Sequence, residues 1–338
     1  MALLIVDSRR KRMSQFERII FVFPGQGSQY CGMGSDLVEE FECAKECFDQ
    51  ASEVVGYDML ELCFRDPQVR LDLTRFTQPA LLTHQIACLE AFRSLDSESK
   101  VQPSLTAGHS LGEYAALVTA GALSFEDALT LVARRAELMS EFGEGSMLAT
   151  TLDLTTARTL AEKYYCGIGG CNLPEQTVIA GQDADLDRLT EDLTTNHRRK
   201  RAVRLKTEGA FHTYLMINAA RRFREVLEDI SFGPLEVGVL SNYTGQMHEP
   251  DSDAIRSRLF FQLFNPVRWM ACMDEAMDTG IDAIIEFGGG IGKGTSPAEK
   301  RPNLEGMVKK ALKGRSYEAE YFGAVNAVGI HLLAEQIL

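Results

Sequence analysis

The sequence predicts an α/β protein: a large body on a parallel sheet, interrupted by a small ferredoxin-like unit. Three stretches carry that reading. "RIIFVF" (Arg18 to Phe23) is an unbroken apolar run stopped at Pro24-Gly25, the texture of a central parallel strand buried on both faces. "PSLTAG" runs through "GHSLG" into "EYAALVTAGAL", so a short strand turns directly into a helix. From about Ser146 to Lys206 the order is β-α-β-β-α-β, the split ferredoxin-like arrangement.

The elements follow in chain order. Residues 35–56 carry a helical pattern, and "TQPALLTHQIACLEAFRSL" (Thr77 to Leu95) reads as a long amphipathic helix with Pro79 allowed in its first turn. "SFEDALTLVARRAELMSEF" begins with Ser124 as an N-cap and Asp127 at its third helical position. The texture changes near Gly145. "SMLATTL" is strand-like and "TTARTLAEKYY" helical; "GIGGCN" and "QTVIAG" form a hairpin around Leu173-Pro174. "DADLDRLTEDLTTN" is a helix and "KRAVRLKTEGAF" a strand. The body then resumes with the helix "YLMINAARRFREVLEDI", the strand "EVGVLSNYT", the helix "SDAIRSRLFFQLF" and the strand "IDAIIEFGGG". The expected division is therefore residues 1–17 as an N-terminal extension, 18–144 with 208–338 as the large subdomain, and 145–207 as the small one.

Composition narrows the function. The chain has 338 residues, 45% of them apolar and 25% charged, enough for a sizeable core. A formal charge of −13 argues against a nucleic-acid binder, which needs a basic face. It leaves a small anionic substrate open, since one local arginine can oppose the global sign. The 8 cysteines include no CxxC pair and no His pair at zinc spacing, so free thiols in a reducing cytoplasm and no metal are expected. "MALLIVDSRRKR" places apolar before basic residues, the reverse of a secretory leader, with Met13 as an alternative start. No 18-residue apolar run is present, so no membrane span is expected.

"GHSLG" (Gly108 to Gly112) fits G-x-S-x-G between a strand and a helix. In that sharp turn, typical of α/β-hydrolase-like bodies, Ser110 stands exposed at the carboxyl edge of the sheet. The Leu111 amide at the helix start can face an oxyanion. A serine nucleophile needs a base, and 6 histidines are available. His84 lies inside a helix, His197 sits in the basic run "HRRKRAVR", and His248 and His331 have no evident supporting neighbours. His109 adjoins the serine but should point to the other side of the turn. His212 in "EGAFHT" follows a predicted strand end and is the best candidate.

In order, "FVFPGQGSQ", "TQPALL", "GHSLGEYAAL", "RAELM", "QTVIAG", "GAFHT" and "QLFNPVRW" span about Ile19 to Gly290. Together they resemble the malonyl-CoA:acyl-carrier-protein transacylases and the discrete acyltransferases of polyketide synthases. The resemblance implies Ser110 as nucleophile and His212 as base. It implies that a backbone carbonyl at Gln262 orients the base in place of a carboxylate. It gives Gln26 and Leu111 as oxyanion amides, and Arg135 as the grip on the free carboxylate of malonate. Gln78, His109, Asn172 and Phe211 are expected to line the acyl site. In polyketide-synthase relatives a Phe before the histidine goes with malonyl and a Ser with methylmalonyl, so Phe211 favours malonyl. The implied substrate is malonyl-CoA with no bound cofactor, the partner an acyl carrier protein, and the molecule a monomer. A guanidinium suits that substrate, because it grips a carboxylate with two parallel hydrogen bonds.

One departure stands out. The family's Gly-Pro-Gly turn reads "FGGGIGKGTSPAEKRPN" here, with Gly289 for proline and a polar insertion before the next helix. A phosphate-loop reading of that insertion fails, because Phe287 and Gly294 stand where Gly and Ser/Thr are needed; Lys293 remains a candidate for a CoA phosphate. The basic run at Arg198, Arg199 and Arg201 reads as a solvated face or as a docking face for an acidic carrier protein. Competing functions are an editing acyl hydrolase on the same fold, an unrelated esterase needing an acid between Ser110 and His212, and a non-catalytic carrier-binding module. Arg135 argues against the first, the missing acid against the second, and the intact Ser110 and His212 against the third.

Overall fold

The computed structural model describes residues 16–338; most of the expected N-terminal extension lies outside the described residues. Of that segment, Phe16 packs edge-on against Phe322, and the Glu17 amide donates to Asp282.

The large body is a five-stranded sheet in the order β7-β2-β1-β8-β9. Its strands are β1 (Ile19–Phe23), β2 (Leu105–Gly108), β7 (Gly238–Leu240), β8 (Ala283–Phe287) and β9 (Glu320–Ala324), every pairing parallel. The apolar run of β1 explains its central place. Ile19, Phe21 and Phe23 enter one core cluster, while Ile20 and Val22 enter another on the opposite face. A strand wet on one face could not carry that composition.

The small unit is a four-stranded antiparallel sheet in the order β4-β5-β3-β6: β3 (Ser146–Thr150), β4 (Gly167–Leu173), β5 (Gln176–Gly181) and β6 (Ala202–Arg204). With helices Leu154–Lys163 and Asp183–Asn196 this is the ferredoxin-like order. Alternation along β3 and β5 again sorts side chains. Leu148 and Ile179 pack under the two helices, whereas Met147, Val178 and Ala180 face Phe211 and Met216 of the large body.

Several boundaries differ from the sequence expectation. The helical segment at 35–56 is two helices, α1 (Ser35–Glu40) and α2 (Glu42–Val55), parted where Phe41 turns extended at φ −119°. The long helix starts three residues earlier, at Thr74 (Thr74–Leu95), so Pro79 lies beyond its first turn. There it removes the N–H that would reach the carbonyl of Arg75, an exposed residue whose turn solvent can satisfy. Only Ala202–Arg204 of "KRAVRLKTEGAF" pairs in a sheet. The helices Met59–Phe64, Trp269–Asp278 and Ala327–Ile337, and strand β9, had no sequence assignment; the helix expected after the polar insertion is Glu305–Arg315.

Candidate active site

The turn after β2 makes the site. Its two glycines are required by contact: a Cβ at Gly108 would lie 1.8 Å from the Gly112 carbonyl carbon, and one at Gly112 would lie 2.2 Å from the Phe23 oxygen. Strand end and helix start therefore touch backbone to backbone. Between them Ser110 adopts φ 53°, a left-handed conformation for a residue with a Cβ. His212 does the same at φ 62°. Each such residue costs of order 1–3 kcal/mol and persists only where its surroundings hold it.

Those two residues meet. The Ser110 hydroxyl donates to His212 Nε2 at 2.7 Å, and His212 Nδ1–H donates to the Gln262 carbonyl at 2.8 Å. The second bond fixes the tautomer: with its proton on Nδ1, the ring presents Nε2 as an acceptor to the serine. Burial, helped by the nearby Arg135 charge, pushes the His212 pKa down to about 3. The imidazole is therefore neutral across physiological pH and able to take a proton.

Arg135 completes the cluster. It projects from the helix Phe125–Glu141 and is fully buried. Nη1 donates to Gln78 Oε1 at 2.6 Å; Nη2 donates to Gln262 Oε1 at 3.0 Å and to the Ser110 hydroxyl at 3.1 Å. Its Nε has no acceptor among the described residues, and none of their carboxylates forms a salt bridge with it. Burial pulls its pKa down. A guanidinium held only by neutral acceptors beside a serine is a site for an anion.

The cleft around this cluster encloses about 740 Å³, and Gln26, Gln78, His109, Ser110, Leu111, Arg135, Phe211 and His212 line it together with Asn172. The backbone N–H groups of Gln26 and Leu111 find no acceptor within the described protein. His109 faces this same cleft, not the far side of the turn. Its Nε2 bonds Asn172 Oδ1 at 3.0 Å, its ring packs on Trp269, and burial lowers its pKa. Asn172 lies within β4, near the hairpin turn, and bridges the small sheet to the elbow. Phe211 is buried beside Met139 and Met147. Gln262 contributes more than its carbonyl, since its side chain joins Arg135 to the Ser110 carbonyl.

The insertion after β8 is ordered. Gly289 takes φ 66°, and a Cβ there would lie 2.5 Å from the Ser28 hydroxyl, so both the backbone and the contact call for glycine. The buried Glu286 accepts from the Asn303 and Leu304 amides, anchoring the helix Glu305–Arg315, and Lys310 of that helix lines the cleft. Lys293 is exposed and is not among the cleft-lining residues.

Two histidines do have partners, contrary to the sequence reading. His248 Nε2 bonds Glu113 at 2.7 Å with both side chains fully buried, and His331 bonds Glu40 at the surface. The first pairing was hidden because the residues stand 135 positions apart. A signal existed: Glu113 is a single acid in the apolar helix "GEYAALVT".

Residues 20–288 match the family described as acyl transferase domain. The chain belongs to the acyltransferase family. It is 39% identical to the malonyl CoA-acyl carrier protein transacylase of Bacillus subtilis over 302 residues, 87% of this chain and 90% of that protein. It is 36% identical over 282 residues to the polyketide biosynthesis malonyl CoA-acyl carrier protein transacylase BaeC of Bacillus velezensis, 80% of this chain and 93% of that one. Among solved structures, the malonyl CoA-acyl carrier protein transacylase of Coxiella burnetii superposes with a TM-score of 0.84 at 33% identity, covering 95% of this chain and 98% of that one. A malonyl-transacylase in complex with its type II polyketide acyl-carrier protein gives 0.83 at 32%, covering 94% and 99%. No described helix of this acyltransferase is long and apolar enough to cross a membrane.

Proposed function

We propose that this acyltransferase moves malonyl from malonyl-CoA to the phosphopantetheine thiol of an acyl carrier protein, in fatty acid or polyketide biosynthesis, through an ester on Ser110. The observation that carries it is the convergence of Ser110, His212 and the carboxylate-free Arg135 on one cleft.

Ser110 Oγ attacks the thioester carbon as its proton passes to His212 Nε2. The resulting oxyanion is met by the Gln26 and Leu111 amides, which have no acceptor of their own. Collapse breaks the carbon–sulfur bond, and the departing CoA sulfur takes the proton from His212. The carrier's thiol then gives its proton to His212, attacks the ester and releases Ser110, which regains that proton. Arg135 grips the malonyl carboxylate throughout, with Gln78 steadying the guanidinium. His109, Asn172 and Phe211 shape the acyl pocket, with Phe211 narrowing it at the α-carbon.

We assign residues 18–144 and 208–338 to the catalytic subdomain and 145–207 to the small one. The enzyme acts as a monomer and in the cytoplasm; the eight unpaired thiols support a reducing compartment. An editing hydrolase for neutral acyl chains would gain nothing from a buried guanidinium beside its nucleophile.

Intact-mass measurement after incubation with malonyl-, methylmalonyl- and acetyl-CoA tests the reading. A single malonyl adduct, absent in Ser110→Ala and discharged by holo carrier protein, is expected. Rapid acetyl labelling, or discharge to water without a carrier, overturns it.

A further inference from the structure

Ser110 and His212 both hold left-handed backbone conformations, and the groups that hold them converge on one buried carboxylate. The Ser110 N–H donates to Asn242 Oδ1 at 2.6 Å, and the Ser110 carbonyl accepts from Gln262 Nε2 at 3.0 Å. Both peptide groups of the nucleophile are thus held by side-chain amides. Neither amide can turn over. Asn242 Nδ2 donates to the Gly108 carbonyl at 2.7 Å, and Gln262 Oε1 accepts from Arg135.

Glu113 ties these amides together. Its Oε2 accepts from the Asn242 backbone N–H at 3.0 Å and from Gln262 Nε2 at 2.8 Å, and its Oε1 meets His248 Nε2 at 2.7 Å. His248 Nδ1 has no partner among the described residues, so a neutral ring carries its proton on Nε2 and donates it. Three donors on one carboxyl group call for an acceptor-only, ionised carboxylate. Glu113, Asn242, Gln262 and the His248 side chain are all buried, and Glu113, Asn242 and His248 do not line the cleft.

We propose that Glu113, oriented by His248, is a positioning residue for acyl transfer: its carboxylate locks the Asn242 and Gln262 amides that hold Ser110 in its strained turn and His212 at its carbonyl. The inference rests on the acyl-serine reading above. Because Glu113 touches no substrate, its loss acts on the rate of acylation and leaves substrate binding alone. Misplacing reacting groups by about 1 Å costs on the order of 100-fold.

Single-turnover labelling by malonyl-CoA tests this in Glu113→Gln, His248→Gln and His248→Leu, with melting temperatures measured alongside. Glutamine at 113 turns an N–H toward donors; glutamine at 248 can still donate, and leucine cannot. The expected result is a 10- to 100-fold fall in the limiting rate for Glu113→Gln and His248→Leu, KM within about twofold of wild type, and recovery in His248→Gln. Should Glu113→Gln fail to fold, the His248 pair decides. Wild-type rates in both His248 variants, or a loss expressed as KM, overturns the inference. A wild-type protein that takes no acyl group on Ser110 overturns the acyl-serine reading instead.

Discussion

Replacing Arg135 by methionine keeps the buried stem and removes the guanidinium. In the native cleft that group is fully buried and held by Gln78, Gln262 and the Ser110 hydroxyl, all neutral. A malonyl carboxylate would be its charged partner. Removing one member of a buried ion pair costs about 3–5 kcal/mol, and each 1.36 kcal/mol is about tenfold in rate. Because the cleft opens to solvent, the lower end applies: malonyl kcat/KM should fall by about 100- to 1000-fold. Acetyl-CoA behaves differently. It leaves the wild-type guanidinium unpaired, so its loss is limited to the Arg135–Ser110 hydrogen bond, about 1 kcal/mol or roughly fivefold. The malonyl-to-acetyl preference should therefore drop at least tenfold. Rapid-quench labelling with both esters, read by intact mass, measures it. Arg135→Lys, which keeps the charge but not the fork, should fall between wild type and the methionine variant. Equal losses for the two substrates would refute the assignment, because they would mean that Arg135 serves only to hold Ser110 and Gln262.

With His212 held near 3 by burial and by Arg135, the base stays deprotonated as pH falls through 6.5, so malonyl labelling kcat/KM should keep its plateau to below about pH 5; a half-maximal rate near 6.5 in a pH series contradicts this. Phe211→Ser should raise the methylmalonyl-to-malonyl labelling ratio about tenfold by opening space beside the α-carbon, at some cost in melting temperature because the ring is buried; an unchanged ratio removes Phe211 from the specificity argument. Gln78→Glu puts a carboxylate on Nη1, so malonyl labelling should fall at least tenfold while acetyl labelling changes little, measured by competition between the two esters. Charge reversal at Arg198, Arg199 and Arg201, all exposed, should weaken transfer to carrier protein by several-fold at low salt and spare self-acylation from CoA; equal loss of both half-reactions, measured separately, excludes a docking role.

How far the sequence carries depends on the range of each interaction. The apolar run of β1, the Gly108–Gly112 turn and the Ser124 cap are local, and each was legible because a few adjacent residues decide it. His212 was singled out by elimination and by the family resemblance, and the strand end expected just before it is not there, since β6 stops at Arg204. Glu113–His248 was not legible: the helix pattern shows a lone acid, but nothing in "QMHEP" says that His248 folds back to it. Asn242 was lost the same way, inside a segment read simply as strand, although its amide holds the Ser110 backbone. The role of the insertion after β8 was hidden for a related reason. Its polar, glycine-rich texture invites a phosphate-loop reading and marks a departure from the family's turn, but does not show that the buried Glu286 draws the Asn303 and Leu304 amides inward and sets Lys310 on the cleft wall.

The absence of an acid behind His212 follows from the rest of the site. A carboxylate bonded to Nδ1 would stabilise the imidazolium, but it would also lie close to a fully buried guanidinium. Such a pair would neutralise Arg135 before substrate arrived and would favour neutral acyl groups over malonyl. The Gln262 carbonyl orients the ring without a net charge, and the amide oxygens of Gln78 and Gln262 hold the guanidinium in the same way. Glu113, a buried carboxylate in the same network, has both oxygens taken by Asn242, Gln262 and His248. A thioester is a more reactive acyl donor than an amide, so the reaction can spare the acid. On the proposed mechanism, the charge kept free on Arg135 would distinguish a diacid from a simple acyl chain.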